Sequence, residues 1–310
     1  MKKKYLLNKI VVFIDWGTTN YRAYKVDLKK NKILNKIEIN QGILKLNSSL
    51  QYIKIISKTL EDFNLNKDQF ILMAGMVGSK KGLYEAPYVN VPTTLKKIAN
   101  KILNKKVLKF NIKIVPGLVY KNENFYDVLR GEETLAIGAI NKLNIKKKCY
   151  LCCPGSHSKW IVIKKNQFYS FSSYMSGELY SAIIKATILS QSLSISNVKI
   201  SKSFFKKGLV LMNKGYSLSN LLFKVRTMDL FKQANTTQRN SFLSGLIIGL
   251  EINHISKKKD LYKSAVILIA SGPLTELYSI SLKFFKIKFN LVNSDECFIT
   301  GMKKIYETKN

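Results

Sequence analysis

From Ile10 to Ile14 every residue is β-branched or aromatic, and the run stops at Asp15-Trp16-Gly17-Thr18-Thr19-Asn20. Tyr21 to Leu28 then alternates, so the pattern predicts a strand, a tight polar turn and a second strand. Ile33 to Ile39 adds a third strand. Leu50 to Phe63 has helical spacing, with Ile53, Ile56 and Leu60 on one side. Phe70 to Ala74 is a short strand running into the Gly-punctuated loop Gly75-Met76-Val77-Gly78-Ser79-Lys80-Lys81-Gly82. Lys113 to Val115 is another, stopped by Pro116-Gly117.

A helix is predicted from Glu132 to Leu143, opened by acids that suit a positive helix N-terminus. Cys149 to Cys153 reads as a buried strand, followed by the polar turn Pro154-Gly155-Ser156-His157-Ser158-Lys159 and a returning strand at Trp160 to Ile163. Helices follow around Gly177–Leu189, Leu218–Phe231 and Phe242–Ile255. Ser264 to Ala270 is a buried strand ended by Ser271-Gly272-Pro273. Further helices span Leu274–Leu282 and Glu296–Tyr306. Polar hairpin turns at Gly17 and Gly155 each stand near the start of one half. The repetition predicts two similarly built α/β domains, 1–141 and 142–310, with the last helix packing back toward the first.

Length and composition agree with that division. A chain of 310 residues suggests two domains, and 46% hydrophobic with 11% aromatic residues is ample for packed cores. The charge is the anomaly: 52 Lys and Arg against 19 Asp and Glu give +33. A field of that size attracts nucleic acid and acidic membranes without specificity. The lysines are nevertheless spread along the chain beside Asn and Ile, with no interleaved aromatics and no finger, RNP or basic-zipper pattern. No specific nucleic-acid partner is expected. Four cysteines are too few for a disulfide scaffold, and Cys149 and Cys152 lack a second pair or a His pair to make a zinc site. The N-terminus, Met1-Lys2-Lys3-Lys4 followed by Tyr5 to Ile14, has the outline of a signal peptide. Asn8 and Lys9 interrupt it, however, and no small-residue cleavage site follows. No apolar run approaches the ~18 residues of a membrane span. The expectation is a cytoplasmic protein with no membrane partner.

Four constellations carry chemistry. In Asp15-x-Gly17-Thr18-Thr19 the glycine permits a tight turn whose amides approach phosphate oxygens, and an aspartate there can hold Mg²⁺ through water. A plain polar hairpin is the simpler alternative. In Pro154-Gly155-Ser156-His157-Ser158-Lys159, Gly155, Ser156 and Ser158 could face phosphate while Lys159 adds charge. A Ser/His hydrolase is set aside, because sequence neighbours rarely pair as nucleophile and base and there is no G-x-S-x-G elbow. In Arg130-Gly131-Glu132-Glu133-Thr134 two acids open a helix between the two turns, where a carboxylate could accept the proton of an acceptor hydroxyl. They could equally serve the helix dipole alone. Gly272, after a buried strand, lets backbone approach a flat ligand such as adenine. No P-loop and no G-x-G-x-x-G occurs.

The order of these features resembles the actin, Hsp70 and sugar-kinase superfamily, and more specifically the 2-dehydro-3-deoxygalactonokinase family. The resemblance rests on Asp15 to Ala23, Gly75-Met76-Val77-Gly78-Ser79, Glu85-Ala86-Pro87-Tyr88-Val89 and Val115-Pro116-Gly117. It continues through Leu129 to Thr134, Pro154 to Trp160, Met175-Ser176-Gly177-Glu178-Leu179, Leu222 to Thr227 and Leu243 to Gly249, covering nearly the whole chain. Ser156 and Ser176 stand where the family has Thr, and Leu83 where it has Trp; the two serines keep the hydroxyl.

The resemblance implies two actin-like ATPase (ribonuclease H-like) domains flanking an ATP cleft. The implied reaction is ATP-dependent phosphorylation of 2-dehydro-3-deoxy-D-galactonate at its 6-hydroxyl. Alternatives are a kinase for another hexonate or hexose, or a non-catalytic sensor or nucleic-acid-binding relative. Asp15 would hold Mg²⁺, with Gly17, Thr18, Thr19 and Arg22 near the phosphates of ATP. Gly155, Ser156 and Lys159 would make a second phosphate contact and Gly272 would lie at adenine. Glu132 is the expected base, with Glu133 as the alternative. The small-molecule sugar-acid substrate would meet the loop bearing Ser79, Lys80, Tyr84 and Tyr88, and a cation from among Lys80, Arg130 and Arg226 would take its carboxylate.

Overall fold

The computed structural model describes residues 10–65, 69–194 and 199–309; the signal-like segment Met1–Lys9 lies outside them. The chain folds as two compact units, one of residues 1–147, 162–171 and 294–310, the other of 148–161 and 172–293.

In the first unit β1 (Ile10–Trp16), β2 (Tyr21–Asp27) and β3 (Lys32–Ile39) form an antiparallel meander. The helix α1 (Ser49–Asp62) then leads to β4 (Phe70–Gly75), parallel to β1. The continuous apolar run of β1 is what a strand enclosed on both faces requires, and Val11, Val12, Phe13 and Ile14 are fully buried. Along α1, Tyr52, Ile56, Thr59 and Leu60 make the one-sided stripe that seats the helix on this core. Each fully buried aliphatic of this kind contributes about 1.5–3 kcal/mol. Tyr21 Oη and Thr59 Oγ1, 2.7 Å apart, add a polar pin beneath it.

A short β5 (Tyr88–Asn90) and α2 (Leu95–Asn100) precede the hairpin of β6 (Leu103–Val107) and β7 (Phe110–Ile114), and β7 runs parallel to β4. The sheet order is β3-β2-β1-β4-β7-β6. β8 (Gly117–Lys121) and β9 (Tyr126–Leu129) join β5 in a separate three-stranded sheet and lead to α3 (Glu132–Lys142). The strand predicted at Lys113–Val115 thus ends as expected, but a new strand starts at once on Gly117.

A second sheet, which begins and ends in the second unit, repeats the plan, although its segment 162–171 groups with the first unit. β10 (Cys149–Cys153), β11 (Ser158–Lys164) and β12 (Gln167–Tyr174) are followed by α4 (Ser176–Ala186), α5 (Lys202–Asn213), α6 (Leu218–Leu230) and α7 (Thr236–Ser256). Then come β13 (Ala265–Ala270), α8 (Pro273–Phe284) and β14 (Asn290–Asn293), and the sheet order is β12-β11-β10-β13-β14. β10, β13 and β14 run parallel, as β1, β4 and β7 do. Both sheets therefore share one order, a three-stranded meander and then two parallel strands on the side of its first strand, with an antiparallel β6 added at the edge of the first sheet, and this is the actin-like α/β architecture. The helix expected over 177–189 ends at Ala186, where Thr187 leaves helical geometry and caps a 3-10 turn, and α5 was not foreseen. The chain closes with α9 (Ser294–Lys309), which belongs to the first unit and carries Glu296 to an ion pair with Lys142 of α3. No described helix is long and apolar enough to cross a membrane.

Candidate active site

The first unit gathers carboxylates at the end of β1. Antiparallel register sets Arg22 opposite Asp15, and Arg22 Nη1 lies 3.4 Å from Asp15 Oδ2. The same nitrogen is 3.9 Å from Oδ1 of Asp295, in the first turn of α9, while Arg22 Nε donates to Glu38 at 2.8 Å. Burial raises the Asp15 carboxyl to about 6; Asp295 and Glu132 push the same way and Arg22 opposes them. A divalent cation would relieve that electrostatic strain. Mg²⁺ needs only one or two protein carboxylates when phosphate and water complete its octahedron, and no cluster of three potential ligands exists among the described residues. Asp15 fits such a site.

The turn after Asp15 is held from behind. The amides of Gly42, Ile43 and Leu44 donate to the carbonyls of Thr19, Gly17 and Thr18 at 2.7, 3.1 and 3.2 Å. With its carbonyls taken, the turn presents its Thr18 and Thr19 amides as the donors left for an anion. Gly42 is required for this approach, since a Cβ there would stand 2.2 Å from the Thr18 carbonyl oxygen.

The start of α3 meets the same region. Gly131 has φ +112°, and a Cβ on it would lie 3.3 Å from the Gly75 α-carbon at the end of β4. Gly75 in turn lies against Trp16 and Asp15. The positive φ lets the chain fold both acids back on the helix start. Glu132 Oε2 accepts from the Arg130 amide at 3.0 Å, and Glu133 Oε2 from the Gly131 amide at 2.7 Å. The two are not equivalent. Glu132 is partly exposed, whereas Glu133 is wholly buried and its Oε1 has no hydrogen-bond partner among the described residues. Burial raises the Glu133 carboxyl to about 8, and the Glu132 charge adds to the rise.

Beside this helix start the loop from Gly75 to Tyr88 closes on Arg130. The Arg130 Nη2 donates to the Ala86 carbonyl at 2.9 Å, and the guanidinium stacks 4.2 Å from the Tyr88 ring centre. Arg130 is 6% exposed, yet its Nε and Nη1, like the buried Ser79 Oγ, have no hydrogen-bond partner among the described residues. Tyr88 and Arg130 are thus brought together, and Gly78, next to Ser79, lies so close that a Cβ on it would stand 3.0 Å from Arg130 Nη1. Lys80 points to solvent, and Tyr84 packs under Lys105. Arg226 lies on α6 of the second unit, where it is bonded to Ser192 Oγ at 3.0 Å and paired with Asp229 at 3.6 Å.

The second unit braces its own polar turn in the same manner. The Glu178 amide donates to the Ser156 carbonyl at 2.9 Å, and Gly177 fits because a Cβ would stand 2.6 Å from the Gly155 carbonyl oxygen. Lys159 is buried and donates to Ser173 Oγ at 2.5 Å. His157 pairs with Glu178, and Ser158 Oγ lies 2.6 Å from Tyr278 Oη, so the neighbouring Ser and His turn to different partners. Between α4, α7 and α8 lies a cavity of 220 Å³, lined among others by Gly155, Gly177, Tyr180, Asn240, Ser244 and Pro273. Gly272 (φ +64°) precedes its rim, with nothing within 4 Å of where a Cβ would be. The sequence reading missed Gly42, Asp295 and the α7 polar positions. The last gave no signal, because Asn240 and Ser241 close the polar run 236–241 at the start of α7 and only the fold buries them.

A family model described as 2-keto-3-deoxy-galactonokinase matches residues 15–305. The 2-dehydro-3-deoxygalactonokinase of Escherichia coli (strain K12) is 29% identical over 294 residues, 95% of this chain and 96% of that protein. A Rhizobium meliloti (strain 1021) relative assigned the same activity is 29% identical over 93% of this chain and 94% of its own. A crystal structure from Sinorhizobium meliloti, assigned to the same kinase, superposes with a TM-score of 0.88 at 28% identity over 95% of each chain. The chain belongs to the 2-keto-3-deoxy-galactonokinase family.

Proposed function

We propose that this protein transfers the γ-phosphoryl group of ATP to the 6-hydroxyl of 2-dehydro-3-deoxy-D-galactonate, in the cytoplasmic breakdown of galactonate. It is a kinase by family. The observation that supports this is the junction of Asp15, Gly75 and the Gly131–Glu133 helix start, which sets the Asp15 carboxylate, the proposed Mg²⁺ ligand, beside the partly exposed Glu132. Mg²⁺ bound with ATP supplies neutralisation of charge on the phosphates. In the first unit the amides of Thr18 and Thr19 bind phosphate oxygens; in the second, Gly155, Ser156 and Lys159 offer a phosphate contact, and its cavity takes the nucleoside with Gly272 just before its rim.

Glu132 accepts the proton of the 6-hydroxyl as its oxygen bonds to the γ-phosphorus. The bond from that phosphorus to the bridging oxygen breaks, and ADP leaves with the electron pair. Glu133, enclosed and holding the Gly131 amide, orients the helix start. Arg130 meets the substrate carboxylate. A buried donor without a partner costs about 1–3 kcal/mol, which an anionic ligand recovers. Release of ADP measured over a panel of 2-keto-3-deoxy acids and common hexoses tests the reading. Preference for the galactonate derivative is expected. Glucose turned over equally well would make the protein a hexose kinase, and no turnover of any acceptor would favour a non-catalytic relative.

A further inference from the structure

Glu251, on α7, is a carboxylate 2% exposed inside the second unit. Side chains from three other elements donate to it: Trp160 Nε1 of β11 to Oε1 at 2.8 Å, Tyr278 Oη of α8 to Oε2 at 2.8 Å, and Ser176 Oγ, at the start of α4, also to Oε2. Ser158 Oγ, 2.6 Å from Tyr278 Oη, closes the ring. Burial pushes the carboxyl upward from its ordinary range, and these donors offset only part of that cost. An apolar side chain would fill the space more cheaply, so stability alone does not account for an acid here.

Three of these elements, α4, α7 and α8, line the cavity, and the fourth, β11, follows the turn that reaches it at Gly155. Ser158 and Trp160 continue the Gly155–Ser156 turn directly. Ser176 precedes Gly177, whose missing Cβ lets α4 press on that turn. Ser176 and Tyr278 themselves line the 220 Å³ space together with Gly155 and Gly177. Loss of the acid would free the turn, the first turn of α4 and α8 to shift independently.

We infer that Glu251 is a positioning residue for the nucleotide, one that touches no ligand but fixes the 155–159 turn, the α4 N-terminus and α8 in the register that receives phosphates and nucleoside. The inference rests on the reading of the second unit as the nucleotide-binding half. It goes further in saying which buried group gives that half its shape.

The test is calorimetric binding of ADP, alongside KM for ATP and for the sugar acid, in the wild type, Glu251→Gln and Tyr278→Phe. Glu251→Gln keeps the volume but puts an amide where two hydroxyls donate. Disturbing these buried hydrogen bonds should weaken ADP binding roughly tenfold. The KM for ATP should rise by a similar factor, while kcat and the KM for the sugar acid stay within about twofold. Tyr278→Phe should move ADP affinity in the same direction, and it carries the test if Glu251→Gln does not fold. Unchanged ADP affinity in a folded variant, or an equal rise in both KM values, would reduce the network to ordinary core and overturn the inference. A wild type that binds no ADP would instead overturn the nucleotide reading of this unit, and the inference with it.

Discussion

Replacing Glu133 by Gln is expected to stabilise the protein, and to do so more strongly as pH rises. In the folded state burial holds the Glu133 proton until about pH 8, against an ordinary value of 4.5. Around it stand the Glu132 charge, which adds to the shift, and Arg130, which opposes it. The unfolded chain therefore releases the proton near pH 4.5 while the folded chain keeps it. Stability from this group is complete below pH 4.5, falls as pH rises toward 8, and is level beyond. One pH unit within that window corresponds to about 1.4 kcal/mol, so between pH 5.5 and pH 8 the penalty grows by about 3 kcal/mol. Glutamine abolishes the titration, and its carbonyl can still accept from the Gly131 amide. Denaturant unfolding of both proteins at pH 5.5 and pH 8 reads the difference directly. A stability gap that is the same at both values would mean that Glu133 is ionised in the fold, and would refute the reasoning.

Asp15→Asn should abolish turnover with the fold intact, since it removes charge but little volume; normal activity at saturating Mg²⁺ would refute the metal assignment. Glu132→Gln should lower kcat by about 10²–10⁴-fold with ADP affinity little changed, and if Glu133→Gln proves the slow variant, the roles of the two acids exchange. Gly42→Ala drives a Cβ against backbone at the Thr18 carbonyl; it should cost about 1–3 kcal/mol of stability and raise the KM for ATP, and an unchanged KM would remove the brace from the account.

The elements written most clearly in the sequence are those whose pattern has one cause. The enclosed runs at Ile10–Ile14 and Cys149–Cys153, the polar turns after them and the acid-opened α3 all follow from burial or capping that acts locally. α5 was not legible, because Gly208 reads as a helix breaker. In the structure its missing Cβ lets α5 lie against α7, where a Cβ would stand 2.6 Å from the Phe242 carbonyl oxygen. β9 was missed for another reason: it is an edge strand of four residues with Tyr126 and Val128 exposed, too short for its alternation to stand out. The site divided similarly. Asp15, Gly17 and the glutamate pair stand in motifs, but Gly42, Asp295 and Glu251 act through contacts made by distant parts of the chain, which no local pattern announces. Arg226 and Arg130 are equal candidates in the sequence, and the fold gives them different settings, one paired with Asp229 and the other with Nε and Nη1 unpartnered among the described residues.

The proposed reaction moves the γ-phosphoryl group of ATP to one particular oxygen of a sugar acid. The most direct measurement is ³¹P and ¹H NMR of the product formed from ATP, Mg²⁺ and 2-dehydro-3-deoxy-D-galactonate. A single phosphomonoester is expected, its phosphorus coupled to the two C6 protons and its formation in step with ADP. Phosphorus coupled to a proton on any other carbon, or ADP released with no phosphorylated acid, would contradict the claim.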